Sequence, residues 1–372
     1  MREGSGHCRI AVDCRLFGAS GIGTFIESVV TYMAADTSCH LTLIGDARRL
    51  QTFEDFDNCT ITDCRHKPFS LNELLRFPVG VVNSCDAFFT PNFNIPMGIR
   101  VPVYSMVHDI VFFDTENFGT PLRRRIIKWY VRRALAISHT VFTVSQFSRE
   151  RIRKRFNTDA DIRVVYNGVG AGLKEYAEQK PTGRTEKHGI VFVGNMKRHK
   201  GIRTLLLAHN LLISEGVDVP LTIIGNVNFR TRDDELIQLL ADNTQADNAG
   251  LKVVRNADNS EVYRLISEAE VLVSPSLYEG FGLPPLEALY LGTKVLISDI
   301  PVYKEVYGKL QRQGLPITFF HTEDADDLCK KIKELRALPA DSETKSLARH
   351  RQLIDETYNF RHVAKRIMEH IT

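Results

Sequence analysis

Short apolar runs of β type alternate with runs of helical periodicity along most of the chain, in two successive series. The first series holds Ile10–Asp13, Leu41–Ile44, Ala87–Thr90, Val101–Val107, Thr140–Ser145 and Ile162–Val165. The second holds Ile190–Val193, Leu221–Ile224, Leu251–Val254, Val271–Val273 and Lys294–Ile297. Strands that alternate with helices pair in parallel and carry helices on both faces of the sheet. From Gly170 to Gly189 the periodicity fades and Lys, Glu, Gly and Pro181 take over, which reads as a linker. A chain of 372 residues also favours two cores over one. The expected architecture is α/β, two Rossmann-like domains. The first spans 1–169, a linker 170–189, and the second domain 190–354. A terminal helix over 355–372 is marked by Tyr358, Val363, Ile367 and Ile371.

Composition removes several classes. Charged residues make up 25% and the net charge is +3, too small to argue for nucleic acid. No apolar stretch approaches the ~20 residues of a membrane-spanning helix, and Met1–His7 lacks the apolar core of a signal peptide. Seven cysteines form an odd set with no Cys-x-x-Cys, which reads as reduced thiols in a cytosol. Cys59, Cys64 and His66 do not have a zinc spacing. Asp159/Asp161 and Asp324/Asp326 match a metal-binding Asp-x-Asp, but the first pair precedes a strand and the second fits a helix start. Carboxylates at a helix start usually cap it, so no metal is expected.

The densest chemical signal is Ser276–Leu289. A β run enters it, an apolar helical run leaves it, and Pro284 and Pro285 stand where the helix begins. Proline is tolerated there because its missing N–H would have had no intrahelical partner. The N–H groups left to face a ligand are those of Gly280, Phe281, Gly282 and Leu283, at the positive end of a helix dipole. Glu279 just before the turn and Glu287 just inside it are acceptor-only side chains suited to hydroxyls. Phosphates on the helix end with hydroxyls on the glutamates describe a sugar nucleotide. An ordinary strand-to-helix turn is the alternative. The turn after Ile190–Val193 adds Asn195, Arg198, His199 and Lys200, where a cation would lie beside the diphosphate. Gly18–Thr24, with Gly21 and Gly23, is a small-residue turn between a strand and a helix. His108-Asp109 follows a strand end, where ligands of open α/β sheets bind.

The string Glu279–Glu287, with its seven intervening residues, resembles the signature of the family-4 glycosyltransferases, retaining enzymes of the GT-B fold. Gly21-Ile22-Gly23, His108-Asp109 and the Lys200 loop are similar to further elements of that family. The resemblance implies two domains facing across a cleft, the first on the acceptor side, with the terminal helix crossing back to it. It assigns Gly23 and Lys200 to the diphosphate, Glu287 to the ribose, and Glu279 and His108 to the donor sugar. The family often has a second Arg in the Lys200 loop; here His199 or Asn195 fills the place and Arg198 is the substitute. The set looks most like bacterial mannosyltransferases of O-antigen or exopolysaccharide assembly, implying GDP-mannose as donor, no cofactor and a lipid-linked saccharide acceptor. UDP-hexose or dTDP-rhamnose donors fit the same motifs. A sugar-nucleotide epimerase and a non-catalytic sugar-nucleotide-binding subunit are the other classes.

From Asn117 to Arg149 there are seven Lys or Arg and no acidic residue. Arg123, Arg124, Arg125, Lys128, Arg132 and Arg133 cluster around the only tryptophan, Trp129. Such a helix suits an anionic membrane surface, here the inner face of the cell membrane, or else is a solvated helix with an apolar underside.

Overall fold

The apolar runs become two parallel sheets in a computed structural model, which describes residues 8–18, 20–70, 73, 76–115, 120–179, 187–225, 250–337 and 343–372. Met1–Gly170 with Tyr358–Thr372 form one unit, and Ala171–Thr357 form the other.

In the first unit β1 (Cys8–Asp13), β2 (Cys39–Gly45), β3 (Cys59–Asp63), β4 (Ala87–Thr90), β5 (Val103–Met106), β6 (Thr140–Thr143) and β7 (Ile162–Val164) lie in the order β3-β2-β1-β4-β5-β6-β7. The central strands bury both faces: Ile10, Ala11 and Val12 are inaccessible, as are Leu41, Leu43 and Phe88. That is why they read as continuous apolar runs and not as alternating ones. The sequence pattern did not suggest β3. It is an edge strand with only partial burial, so it needs no apolar face.

The helix Ser20–Ala34 buries Phe25, Ile26, Val29, Val30 and Met33, the periodic set expected. It starts earlier than the glycine-rich turn implied, so Gly21 and Gly23 lie within its first turn. A Cβ on Gly23 would stand 2.9 Å from the Gly18 backbone and 3.0 Å from the Leu16 carbonyl. Glycine here lets the loop after β1 fold back onto the helix. The helix Phe360–Ile371 packs on Ser20–Ala34, with the Phe25 and Phe360 rings 5.8 Å apart.

Two boundaries differ from expectation. Ala171–Gln179 is a helix of the second unit, not linker, because Leu173 and Ala177 give it one buried stripe. Residues 180–186 of the proposed linker, like residues 1–7 and Ala19, lie outside the described residues. The terminal helix is two helices, Glu343–Thr357 in the second unit and Phe360–Ile371 in the first. Asn359 separates them by capping the latter, its side chain accepting from the Arg361 N–H.

The second unit holds β8 (Ile190–Val193), β9 (Leu221–Ile224), β10 (Leu251–Val254), β11 (Val271–Ser274), β12 (Lys294–Ser298) and β13 (Ile317–Phe320), ordered β10-β9-β8-β11-β12-β13. Its core joins Phe192, Leu205, Leu206, Leu212, Val273, Leu296 and Phe320. The edge strand β13 was again missed from the sequence. The strand order reverses direction between β8 and β11, so the loops leaving these two strands are neighbours at the carboxyl edge. Ligands of open α/β sheets bind at that place.

Candidate donor site in the second unit

One glycine brings the loops after β8 and β11 together. Gly201 ends the turn Arg198–Lys200 in the left-handed region, at φ 64°. A Cβ there would stand 1.8 Å from the Pro275 carbonyl oxygen, so no other residue fits. The close approach lets the His199 carbonyl accept the N–H groups of Leu277, at 2.8 Å, and Tyr278, at 3.4 Å. Lys200 Nζ then reaches Glu279 Oε1 at 2.7 Å. The same oxygen accepts from Ser276 Oγ at 2.8 Å and from the Tyr303 hydroxyl at 3.5 Å. Burial, then the Glu279 charge, keep Tyr303 protonated. All three donors act on Oε1, which fixes the carboxylate and leaves Oε2 to accept from a ligand. Sequence reasoning missed Ser276 and Tyr303; Tyr303 and Tyr307 look there like ordinary core residues of a helix.

The helix Leu283–Tyr290 starts at Gly282, whose φ is 86°. A side chain at Gly282 would collide with the Tyr303 ring, at 2.5 Å, and the Tyr307 hydroxyl donates to the Gly282 carbonyl. Pro284 and Pro285 lack N–H groups, and no acceptor within the described residues takes the N–H groups of Gly282 and Leu283. Phe281 is buried beside them. Glu287 is partly buried, and burial pushes its carboxyl up to about 7.

Around Lys200 the remaining loop residues divide sharply. His199 is held down to about 4 by burial and then by the Lys200 charge, so it is neutral and cannot be a second cation. Arg198 and Asn195 are exposed. Arg198 and its neighbour Lys197 are the further positive charges that this loop exposes.

The first unit groups the other expected residues. His108 follows β5, and its ring lies edge-on to Phe25 at 5.2 Å, two residues beyond Gly23. Its Nε2 is 3.0 Å from the Pro91 carbonyl. A carbonyl only accepts, so Nε2 carries the hydrogen and Nδ1 is an acceptor. Burial lowers the His108 pKa to about 4, which makes the neutral form the resident one. Asp109 accepts from the Val111 N–H at 3.0 Å. Gly21 has open space where a Cβ would go, whereas Gly23 has the packing reason given above. Asp324 caps the helix Ala325–Ala337 through the Asp327 N–H at 2.9 Å, and Asp161 pairs with Arg163 at 2.7 Å.

The basic segment is the helix Pro121–Ile137, with Thr120 as its cap. Ile127, Val131, Ala134 and Leu135 are its buried face. On the opposite face Leu122, Ile126 and Trp129 are 67%, 47% and 51% exposed. Arg123, Arg125 and Arg132 are exposed beside this apolar stripe; Arg124, Lys128 and Arg133 are partly buried. Arg133 donates to the Ile95 carbonyl at 2.6 Å, so its guanidinium is committed within the unit. No helix among the described residues is long and apolar enough to cross a membrane.

Glu287 has a direct consequence for stability. Its folded pKa, about 7, lies above the ordinary value of 4.5. The folded chain thus keeps a proton that the unfolded chain has released, and stability falls as pH rises through that window. Glu287→Gln should match the wild type near pH 4.5 and melt several degrees higher at pH 8, measured as Tm against pH. A Tm difference that does not change with pH would show that this carboxyl does not titrate as described.

Comparison with known proteins bears on the family and the fold. Residues 21–171 match the model of Glycosyltransferase Family 4, and residues 174–352 match that of Glycosyl transferases group 1. The chain is 30% identical over 228 residues to O-antigen chain mannosyltransferase B of Escherichia coli, covering 59% of this chain and 58% of that one. It is 28% identical over 242 residues to O-antigen chain mannosyltransferase RfbU of Salmonella typhimurium, covering 63% and 60%. The matches thus span about three fifths of these relatives' length. Among solved structures, sucrose-phosphate synthase from Thermosynechococcus elongatus superposes with a TM-score of 0.69 at 19% identity, over 97% of this chain and 98% of that one. Two Rossmann-type sheets, a Lys–Glu pair at the switch point of the second and matches to both halves together place the chain in the family-4 glycosyltransferases of the GT-B fold.

Proposed function

We propose that this chain is a retaining glycosyltransferase that moves a hexose, mannose from GDP-mannose, onto a lipid-linked saccharide during synthesis of a bacterial surface polysaccharide. The observation that carries the reading is the 2.7 Å Lys200–Glu279 pair, next to the unpaired N–H groups of Gly282 and Leu283. The donor diphosphate would rest on those N–H groups, with the Lys200 ammonium and Arg198 beside it. Glu279 Oε2 would accept from a sugar hydroxyl and Glu287 from the ribose; His108 of the first unit, neutral with Nδ1 as its acceptor, has the form that the family resemblance asks of it. As the sugar–phosphate bond breaks, charge grows on the leaving diphosphate and its attraction to Lys200 strengthens. Only an interaction that strengthens in this way raises the chemical rate. The positive charge comes from side chains and the helix end, so the reading requires no metal or other cofactor.

Mannose rests on the names of the two O-antigen relatives. The acceptor's lipid and a peripheral position on the cytoplasmic membrane face rest on the helix Pro121–Ile137, whose apolar stripe is bordered by exposed arginines. Aliphatic and Trp side chains with flanking cations match an anionic lipid interface.

Three measurements test this reading. GDP-mannose should raise Tm more than UDP-glucose or dTDP-rhamnose, since a ligand of the native state stabilises it. A larger shift with UDP-glucose would replace mannose and leave the transferase. Lys200→Ala should lower kcat by ~100-fold or more at saturating acceptor, while Glu287→Ala should act mainly on donor KM. An unchanged kcat for Lys200→Ala would move the catalytic charge to Arg198. Finally, the protein should co-sediment with phosphatidylglycerol liposomes, and Ile126→Ser with Trp129→Ser should abolish it. Replacing Arg123, Arg125 and Arg132 by Gln should weaken it and remove most of its salt dependence. Co-sedimentation indifferent to both sets would end the membrane assignment.

A further inference from the structure

Tyr303 and Tyr307 stand one turn apart on the helix Pro301–Arg312 that follows β12, and both side chains are inaccessible to solvent. Residues four apart share a face of a helix, and these two rings meet edge-on with 5.5 Å between centroids. Packing alone would be served by phenylalanine at either place. A buried phenol must also find a partner for its hydroxyl, since an unpaired one costs stability. Both hydroxyls find theirs between the end of β11 and the start of the helix Leu283–Tyr290. The Tyr303 hydroxyl lies 2.7 Å from Ser274 Oγ and 3.5 Å from Glu279 Oε1, and the Tyr307 hydroxyl donates to the Gly282 carbonyl.

The Tyr307 contact falls on a peptide unit that glycine leaves free to rotate. Gly282 has φ 86°, a region that side chains disfavour, and the missing Cβ also loosens the ψ angle that swings the peptide joining it to Leu283. That peptide is planar and trans, so its C=O and N–H point in opposite directions. With the Gly282 oxygen drawn to the buried Tyr307 hydroxyl, the Leu283 N–H is turned away from the core helix. Tyr303 supports the same residue from beside it. Its ring stands 2.5 Å from where a Cβ of residue 282 would be, so the turn rests on the ring.

Two prolines make this orientation matter. A helix normally begins with several N–H groups that have no intrahelical partner and fan out over an anion. Here Pro284 and Pro285 follow Leu283 in the first turn of the helix, and neither has an N–H. Leu283 therefore holds the only N–H among the first three helical residues. An anion at this end depends on where that single group points.

We propose that Tyr307 is a positioning residue of the proposed donor site: by holding the Gly282 carbonyl it aims the Leu283 N–H at the donor's phosphates. The inference rests on the reading that a nucleoside diphosphate occupies this helix end, and it adds a buried residue that never touches the ligand. The hydroxyl selects one of the peptide orientations that glycine permits, before any ligand arrives.

Calorimetric titration of the full chain tests this, with GDP and guanosine, and with UDP and uridine in parallel. Tyr307→Phe keeps the ring and removes the hydroxyl. It should bind the diphosphate about tenfold or more weakly, the scale of one lost hydrogen bond to a charged group, and bind the bare nucleoside as the wild type does. Leu283→Pro deletes the N–H at a helix position that tolerates proline, and should show the same selective loss. The double variant should be no weaker than Leu283→Pro alone, because Tyr307 then has no N–H to aim, and such non-additivity marks action through residue 283. Circular dichroism and a cooperative melt establish that each variant folds. If Tyr307→Phe does not fold, an undiminished diphosphate affinity in Leu283→Pro still overturns the proposal. Unchanged diphosphate affinity in Tyr307→Phe, equal losses for diphosphate and nucleoside, or full additivity of the two changes would overturn it and leave the donor reading in place. A wild type that binds neither GDP nor UDP would overturn the donor reading, and the proposal with it.

Discussion

The approach of Gly201 to Pro275 is the constraint on which the proposed donor site depends. Both loops leave adjacent parallel strands, and their backbones must touch before a side chain on one can reach a carboxylate on the other. A Cβ at position 201 would lie 1.8 Å from a carbonyl oxygen. With glycine, the His199 carbonyl takes two N–H groups from the facing loop, and Lys200 falls into an ion pair with Glu279. Ser276 and Tyr303 then hold the carboxylate from below. The pair is partly buried, so each partner offsets the desolvation of the other. A ligand phosphate that draws the ammonium toward itself exchanges one anionic partner for another.

Charge state separates the other polar groups by role. His108 and His199 are both neutral, each for burial first, and neither can give up a proton near pH 7. His108 is fixed by the Pro91 carbonyl and presents a single acceptor nitrogen. Glu287, in contrast, stands near its own titration point. Hydroxyls donated by a ligand would favour its charged form.

Most of the architecture was legible because buried parallel strands are apolar on both faces and leave runs such as Ile190–Val193. The two strands that were not read, Cys59–Asp63 and Ile317–Phe320, are both at sheet edges, where burial makes weaker demands on sequence. Ala171–Gln179 was read as linker because its helical stripe is only Leu173 and Ala177. In the site, Lys200, Glu279 and Gly282 were visible as a motif, since each answers a backbone or charge requirement at a fixed place in the chain. Tyr303 and Tyr307 were not, because their contacts join segments far apart in sequence and their spacing is that of any core helix. The Asp13–Arg15–Glu73 network was hidden for the same reason, its members being brought together only by the sheet.

The return of Phe360–Ile371 to the first unit makes that unit discontinuous, with the whole of Ala171–Thr357 inserted within it. The second unit can therefore form its core from one uninterrupted stretch as it leaves the ribosome. The first cannot: Phe25 and its neighbours on Ser20–Ala34 are synthesised early, but their partner Phe360 arrives only after the second unit has been made. During that interval an apolar helix face lacks its cover and is open to chaperones or to aggregation. The order of synthesis thus runs against the order of the units, and residues 358–372 act as the closing clasp of the part of the chain that was made first.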